Sequence, residues 1–199
     1  MSTQTAEKVP APPRAIALRL LSAGFCYPDA AWRERFEALL RAARQSRAVP
    51  EEGLTRLEKN FHAMTCDELE AAHFRLFGSA PTCPLELAFH MTKEPYGQAK
   101  KIADLAGFYK AFGVEAQERG DALPTVLEFL AYLEVKRVHA ELKGWSEQRD
   151  IAADAALKLR RDVISKPFSV FYRKLRAANA PIFYLRLAAL CRVLLGGVS

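Results

Sequence analysis

Apolar residues recur every three or four positions along most of the sequence, and this spacing constrains the fold more than any other feature. In the first such segment Ile16, Leu20, Leu21 and Phe25 fall on one face of a helix. No stretch shows the strict alternation of a half-buried strand, and no two-residue hairpin turn is present. The chain is therefore predicted to be all-α, a single globular bundle of roughly eight or nine helices.

Capping residues predict where several of these helices begin and end. Thr65 followed three residues later by Glu68 has the form of a capping box, and the helix that it opens is expected to end at Gly78. Asp121 is expected to cap the N-terminus of the longest helix. Pro124 is tolerated there because it falls in the first turn.

The length of 199 residues is that of one domain. Residues 1–13 end in a proline-rich stretch and are expected to be a disordered lead-in to one all-helical domain over residues 14–199. The segment 114–120 is expected to be a linker that can act as a hinge. Pro167 is expected to follow the end of a helix, because proline inside a helix removes a hydrogen bond and clashes with the preceding turn.

The composition indicates a folded chain without a membrane-spanning helix, since half of the residues are hydrophobic and 26% are charged. The longest apolar stretch, residues 181–198, is interrupted by Arg186 and Arg192, whereas a spanning helix needs about 20 nearly uncharged residues. Arg19 interrupts the first apolar run too early for a signal peptide. We therefore expect no stable membrane insertion and a cytoplasmic location.

The net charge of +6 is unevenly distributed along the chain. Residues 51–147 carry eleven basic and sixteen acidic side chains, whereas residues 148–199 carry ten basic and three acidic ones. The basic total leaves one alternative function, a helical regulator that binds nucleic acid through a helix-turn-helix. No short turn with a basic recognition helix is found, so no nucleic-acid partner is expected. The acidic middle suits a cationic partner instead.

Sequence motifs for catalysis and nucleotide binding are absent: there is no G-x-x-x-x-G-K-S/T, G-x-G-x-x-G, H-E-x-x-H or G-x-S-x-G. The four cysteines form no C-x-x-C pair and are expected to be buried apolar side chains. A small metalloenzyme remains a third interpretation, because five potential metal ligands fall within 29 residues: His62, Cys66, His73, Cys83 and His90. The predicted capping box separates the first two, so core or rim positions are favoured over a metal site.

Two parts of the sequence carry a resemblance to a known family. Residues 73–78 (H-F-R-L-F-G) and 83–87 (C-P-L-E-L) are similar to a Y-x-x-L-F … P-x-x-E segment. Residues 102–113 (I-A-D-L-A-G-F-Y-K-A-F-G), 118–123 and 127–130 are similar to A-D-x-A-G-F-Y-x-A-F-G … E-x-x-D-H-L … L-E-F-M. Both patterns resemble the TorD/DmsD/NarJ family of molybdoenzyme maturation chaperones. The pattern from residue 102 onward most resembles the delta-type members that serve the dimethylsulfide, ethylbenzene, selenate and chlorate group.

The resemblance implies an all-helical chaperone and not an enzyme. Such a protein binds the apo catalytic subunit of a molybdenum-cofactor oxidoreductase, often through its twin-arginine leader peptide. It holds that subunit in the cytoplasm for cofactor insertion, assembly and export. No cofactor of its own is implied, although weak guanine-nucleotide binding is a property of some members. The implied oligomeric state is a monomer or a helix-swapped dimer.

The same resemblance implies a binding site for the client. A leader peptide is cationic at one end and apolar along its middle, so its receptor needs carboxylates beside a hydrophobic groove. From the residues alone, Glu118 and Asp121 are the nearest carboxylate pair, and helix capping by Asp121 is the simpler interpretation. With the resemblance, the predicted client site comprises the acidic Glu86, Glu118, Asp121 and Glu128 and the apolar Leu76, Phe77, Pro84, Leu123 and Leu127. The sequence departs from the motifs at His73, Leu85 and Ala122, where the family has tyrosine, an aromatic residue and histidine.

Overall fold

The fold is all-α, as predicted. A computed structural model describes residues 11–117 and 119–196, and these contain helices with no strand. Within these two ranges nine α-helices have twelve or more residues, and a four-residue α-helix and a π-helix accompany them. In chain order the elements are α1 (Pro13–Phe25), α2 (Trp32–Gln45), α3 (Glu51–His62), α4 (Cys66–Phe77), α5 (Ala88–Met91), α6 (Pro95–Ala111), α7 (Leu123–Leu142), α8 (Ser146–Lys158), the π-helix (Leu159–Ile164), α9 (Ser165–Ala177) and α10 (Ile182–Leu194).

Helix α1 is central to the bundle, where it packs against α7, α2 and α10. Its apolar residues surround the whole helix rather than one stripe, and Leu18, Leu20, Leu21 and Phe25 are fully buried. Full burial of each such side chain contributes about 1.5–3 kcal/mol relative to exposure. Helix α1 begins at Pro13, the last residue of the predicted disordered lead-in at residues 1–13. Residues 1–10 of that lead-in lie outside the described part of the chain.

Aromatic rings join α2, α3 and α10 on one side of α1. Phe36 lies 5.0 Å from both Trp32 and Phe61 between ring centroids, and 5.6 Å from Phe183. The Trp32 indole N–H donates to the carbonyl oxygen of Ala23 at 2.7 Å, so this buried ring has its polar atom satisfied. The rings pack α2 against α3 and α10, and the Trp32 hydrogen bond joins α2 to α1.

The capping box at α4 is confirmed. The Thr65 N–H donates to Glu68 Oε2 at 2.8 Å, and the Glu68 N–H donates to Thr65 Oγ1 at 3.2 Å. Two backbone donors that have no partner within the helix are thereby satisfied. Gly78 follows the last residue of α4, as predicted.

The predicted helix end before Pro167 is wrong. Helix α8 continues into the π-helix, and α9 begins at Ser165, so Pro167 lies in the first turn of α9. Proline is tolerated at that position because its missing N–H would have no partner within the helix. The Ser165 N–H donates to the carbonyl oxygen of Arg160, five residues earlier, and Ser165 Oγ donates to the same oxygen at 2.8 Å.

Candidate functional site

The two motif regions meet in a short antiparallel contact beside α7. The Leu87 N–H donates to the carbonyl oxygen of Asp121, and the Leu123 N–H donates to that of Leu85, both at 2.9 Å. This backbone bridge brings the segment before α5 against the segment before α7. Sequence reasoning placed both segments in one site but not their pairing, because an isolated bridge leaves no periodic signal.

Asp121 is buried, with 3% of its surface exposed. Its Oδ2 accepts from the N–H of Ala88, the first residue of α5, at 3.2 Å, and its Oδ1 accepts from Arg119 Nε at 2.7 Å. The prediction that Asp121 caps α7 is therefore wrong, since the residue preceding that helix is Ala122 and no side chain caps it. The hydrogen bond with Asp121 raises the pKa of Arg119.

Most of the apolar residues predicted for the client site belong to the core. Phe77 is half-buried and packs edge-on against Tyr184 at 5.2 Å. Leu76, Leu123 and Leu127 are buried and offer no surface to a peptide in this conformation. Pro84 is also buried, and its carbonyl oxygen lies 2.8 Å from His90 Nε2 in a hydrogen bond.

The predicted acidic residues separate by exposure. Glu128 on α7 is exposed, Glu86 is half-buried next to the backbone bridge, and Asp121 is buried. Glu118 lies outside the described residues. Among the predicted acidic residues that the structure describes, only Glu128 is exposed.

Aromatic residues of α6 and α7 hold the segment between them. Tyr109 lies 4.5 Å from Phe129 between ring centroids, and its hydroxyl donates to the carbonyl oxygen of Gly120 at 2.6 Å. The Tyr132 hydroxyl donates to the carbonyl oxygen of Phe112 at 3.2 Å. Burial, together with the charge of Asp121, raises the pKa of Tyr109, so this hydroxyl stays protonated and continues to donate.

A groove of about 460 Å³ opens between α1, residues 114–117 and the first half of α7. Val114, Phe129 and Tyr132 contribute apolar surface, and the exposed Glu115 and Glu128 contribute two carboxylates. We call this feature the acidic groove. The sequence analysis identified Glu128 but missed Glu115, Val114 and Tyr132. Glu115 could have been found, because it is an acidic residue within the predicted 114–120 linker.

A second cleft, of about 270 Å³, lies between α5, α6 and the π-helix. Its walls are apolar at Leu105, Phe108 and Leu159. The charged residues that line it nearly balance in sign: Lys101, Lys158, Asp104, Asp121 and Asp162. The second cleft therefore carries one net negative charge and two lysines, whereas the acidic groove carries two carboxylates and no basic residue among the described residues of its lining.

Three of the five residues considered as metal ligands, His73, Cys83 and His90, are buried and form hydrogen bonds with backbone carbonyl oxygens. His73 Nε2 donates to the carbonyl oxygen of Phe25 at 3.1 Å, and the Cys83 thiol donates to that of Phe171 at 3.5 Å. Burial lowers the pKa of His73 and His90 and raises the pKa of Cys83 to about 12. Across residues 11–117 and 119–196 no three His, Cys, Asp or Glu side chains are grouped to hold a metal ion.

The cysteines are only partly as expected. Cys83 and Cys191 are buried, Cys26 is half-buried, and Cys66 is exposed at the start of α4.

No helix among the described residues is long and apolar enough to cross a membrane.

A groove with apolar walls and a charged rim is one kind of surface on which proteins bind peptide segments. The sequence profile of the nitrate reductase delta subunit family matches residues 28–167, more than two thirds of the chain. The chain belongs to this family, which consists of molybdoenzyme maturation chaperones that act with molybdoenzyme catalytic subunits and are not catalytic. A comparison with curated proteins found no match.

Proposed function

We propose that this chaperone binds the apo catalytic subunit of a molybdenum-cofactor oxidoreductase through the acidic groove. The observation that carries the proposal is the pairing of two exposed carboxylates, Glu115 and Glu128, with apolar surface from the half-buried Val114 and Tyr132. The groove lies where the residues most similar to the family motifs, at 102–113 and 127–130, meet the linker between them.

The bound segment is the twin-arginine leader of that subunit. Guanidinium groups form directional, charge-assisted hydrogen bonds with carboxylates, and the apolar middle of a leader matches the aromatic surface of the groove. Exposed ion pairs contribute about 0.2–1 kcal/mol each, so contact with the apolar surface supplies most of the affinity and the carboxylates supply direction. The client belongs to the dimethylsulfide, ethylbenzene, selenate and chlorate group, and binding takes place in the cytoplasm before export.

A binding measurement with a synthetic peptide tests the groove. The peptide carries two consecutive arginines followed by an apolar segment, and its affinity is measured by fluorescence anisotropy. The double variant Glu115→Gln/Glu128→Gln keeps the shape of both side chains and removes their charge. We expect about tenfold weaker binding, equivalent to about 1.4 kcal/mol for two exposed pairs.

The matched control is Asp154→Asn, which removes the charge of an exposed side chain on α8 that lines neither the acidic groove nor the second cleft. It should bind the peptide as the wild type does. Equal affinity of the double variant and the wild type would place the leader elsewhere. No binding of the peptide to the wild type would indicate that the mature part of the subunit is the bound part.

A further inference from the structure

A third cleft, of about 200 Å³, lies between α1, α7, α8 and the π-helix. Its walls are apolar at Leu18, Leu130 and Ala156. Its charged residues are three arginines and one glutamate: Arg14 on α1, Glu134 and Arg137 on α7, and Arg160 in the π-helix. The cleft therefore carries an excess of two positive charges.

The one carboxylate that lines this cleft is committed to one of the arginines. Glu134 accepts from Arg137 Nη2 at 2.9 Å and from Arg137 Nε at 3.2 Å, which is a two-point contact. Glu141, a more exposed residue of α7, accepts from Nη1 of the same arginine at 3.0 Å. Arg137 is thus neutralised and the other two arginines are not.

Arg14 and Arg160 donate hydrogen bonds to backbone oxygens. Arg14 Nη2 donates to the carbonyl oxygen of Leu194 at 3.0 Å, and Arg160 Nε donates to that of Ala156 at 3.2 Å. Neither forms an ion pair with a carboxylate of residues 11–117 or 119–196. A guanidinium has five N–H donors, so each of these two side chains retains donors for another acceptor.

The electrostatic environment of Arg160 also indicates that this side chain can accept an anion as a partner. Burial and the nearby charge of Arg14 lower the pKa of Arg160, and the charge of Glu134 opposes them. A half-buried cation next to a second cation is unfavourable unless an anion accompanies them.

The position of Arg160 in the fold is a further feature of this cleft. It is the second residue of the π-helix, and its carbonyl oxygen accepts from both the backbone N–H and the hydroxyl of Ser165. Single π-helical turns inside α-helices are rare overall, and those that occur are often found at functional sites. This one separates α8 from α9 at the rim of the cleft.

We propose that this cleft is a binding site for an oxyanion, a phosphate or carboxylate group of a small molecule, held by the guanidinium groups of Arg14 and Arg160. A guanidinium presents parallel N–H groups that match two oxygens of such a group, and the negative charge of the oxyanion offsets the positive charge of Arg14 and Arg160. The site is separate from the acidic groove. Leu130, Glu134 and Arg137 lie on the face of α7 roughly opposite to the face that carries Glu128.

Calorimetric titration with inorganic phosphate, at constant ionic strength maintained with chloride, tests the site. The wild type should bind one phosphate per chain saturably, and Arg160→Gln should bind it at least tenfold more weakly. Arg161→Gln is the matched control, because Arg161 is the next residue of the π-helix and its side chain is 66% exposed in a pair with Asp162. It should bind phosphate as the wild type does.

Two more variants keep the test decisive if Arg160→Gln does not fold. Arg14→Gln removes the other guanidinium, and Arg160→Lys keeps the charge while removing the parallel N–H pair; both should weaken binding. Succinate serves as a second ligand: binding of phosphate alone identifies a phosphate group, and binding of both identifies an oxyanion site without that preference. No saturable binding, or equal binding by wild type and all Arg160 and Arg14 variants, would overturn the proposal.

Discussion

Asp121 links two segments that are 33 residues apart in the sequence. Its carboxylate satisfies the N–H of Ala88 at the start of α5 and pairs with Arg119, while its backbone carbonyl accepts from Leu87. This buried carboxylate is costly to remove, because the buried N–H of Ala88 is left without an acceptor, whereas the exposed Arg119 can hydrogen-bond to water.

Asp121→Ala should therefore lower the free energy of unfolding by about 1–3 kcal/mol, mainly because the buried N–H of Ala88 is left unpaired. Asp121→Asn keeps an acceptor for Ala88 and should cost less. Urea denaturation monitored by circular dichroism measures both variants. A loss below about 0.5 kcal/mol for Asp121→Ala would contradict the bridging role.

Two buried histidines predict how stability depends on pH. Burial lowers the pKa of His73 and His90 below the ordinary value of 6.5, so the folded chain holds them neutral. Below about pH 6.5 the unfolded chain binds protons that the folded chain does not, and the free energy of unfolding falls as the pH falls. Above that pH both states are neutral and the two residues contribute no slope.

Substitution with glutamine tests this pH dependence, because the amide N–H₂ can still donate to the carbonyl oxygens of Phe25 and Pro84. The double variant His73→Gln/His90→Gln should show a smaller decrease in stability between about pH 6.5 and 5 than the wild type. An unchanged slope in urea denaturation over that range would show that other groups govern it.

At the scale of elements, some helix boundaries depend on capping residues that are neighbours in the sequence, and others depend on contacts between distant segments. The capping box of α4 is contained in four consecutive residues, and the sequence was sufficient to predict it. The start of α7 was located correctly near Pro124, but the role of Asp121 was not. The Asp121 carboxylate accepts a hydrogen bond from α5, and a local sequence pattern cannot predict a partner that is distant in the sequence.

The π-helix is another element that the sequence did not reveal. The prediction ends a helix before Pro167, whereas in the structure Pro167 lies in the first turn of α9, and a π-helix rather than a loop joins α8 to α9. The backbone continues as a helix through this point because Ser165 satisfies the carbonyl oxygen of Arg160 from five residues away.

The capping box provides a test at this scale. Thr65→Ala removes the acceptor for the Glu68 N–H and should lower the free energy of unfolding by about 1 kcal/mol. Thr65→Ser keeps that acceptor and should remain within about 0.5 kcal/mol of the wild type. Equal losses in the two variants, measured by urea denaturation, would show that the threonine methyl group, rather than the cap, stabilises α4.

At the scale of the whole molecule, the fold was predictable because helical periodicity recurs throughout the chain. The surface of the proposed client site was less predictable from the sequence, since helical spacing does not distinguish a leucine in the core from one in a groove. Leu123 and Leu127 lie on the side of α7 that meets the core, whereas Glu128 reaches the surface. The exposed surface beside Glu128 comes from residues distant in sequence, on α1 and in the 114–117 segment.

Co-purification from the native host, grown under anaerobic respiratory conditions, tests the central claim most directly. Tagged wild-type protein, Glu115→Gln/Glu128→Gln and Asp154→Asn are each isolated, and mass spectrometry identifies and quantifies the partner. We expect a molybdopterin-dependent catalytic subunit with the wild type and with Asp154→Asn, and about tenfold less of it with the double variant. Recovery of that subunit in equal amounts from all three proteins would contradict the acidic groove, and its absence from all three would contradict the chaperone function.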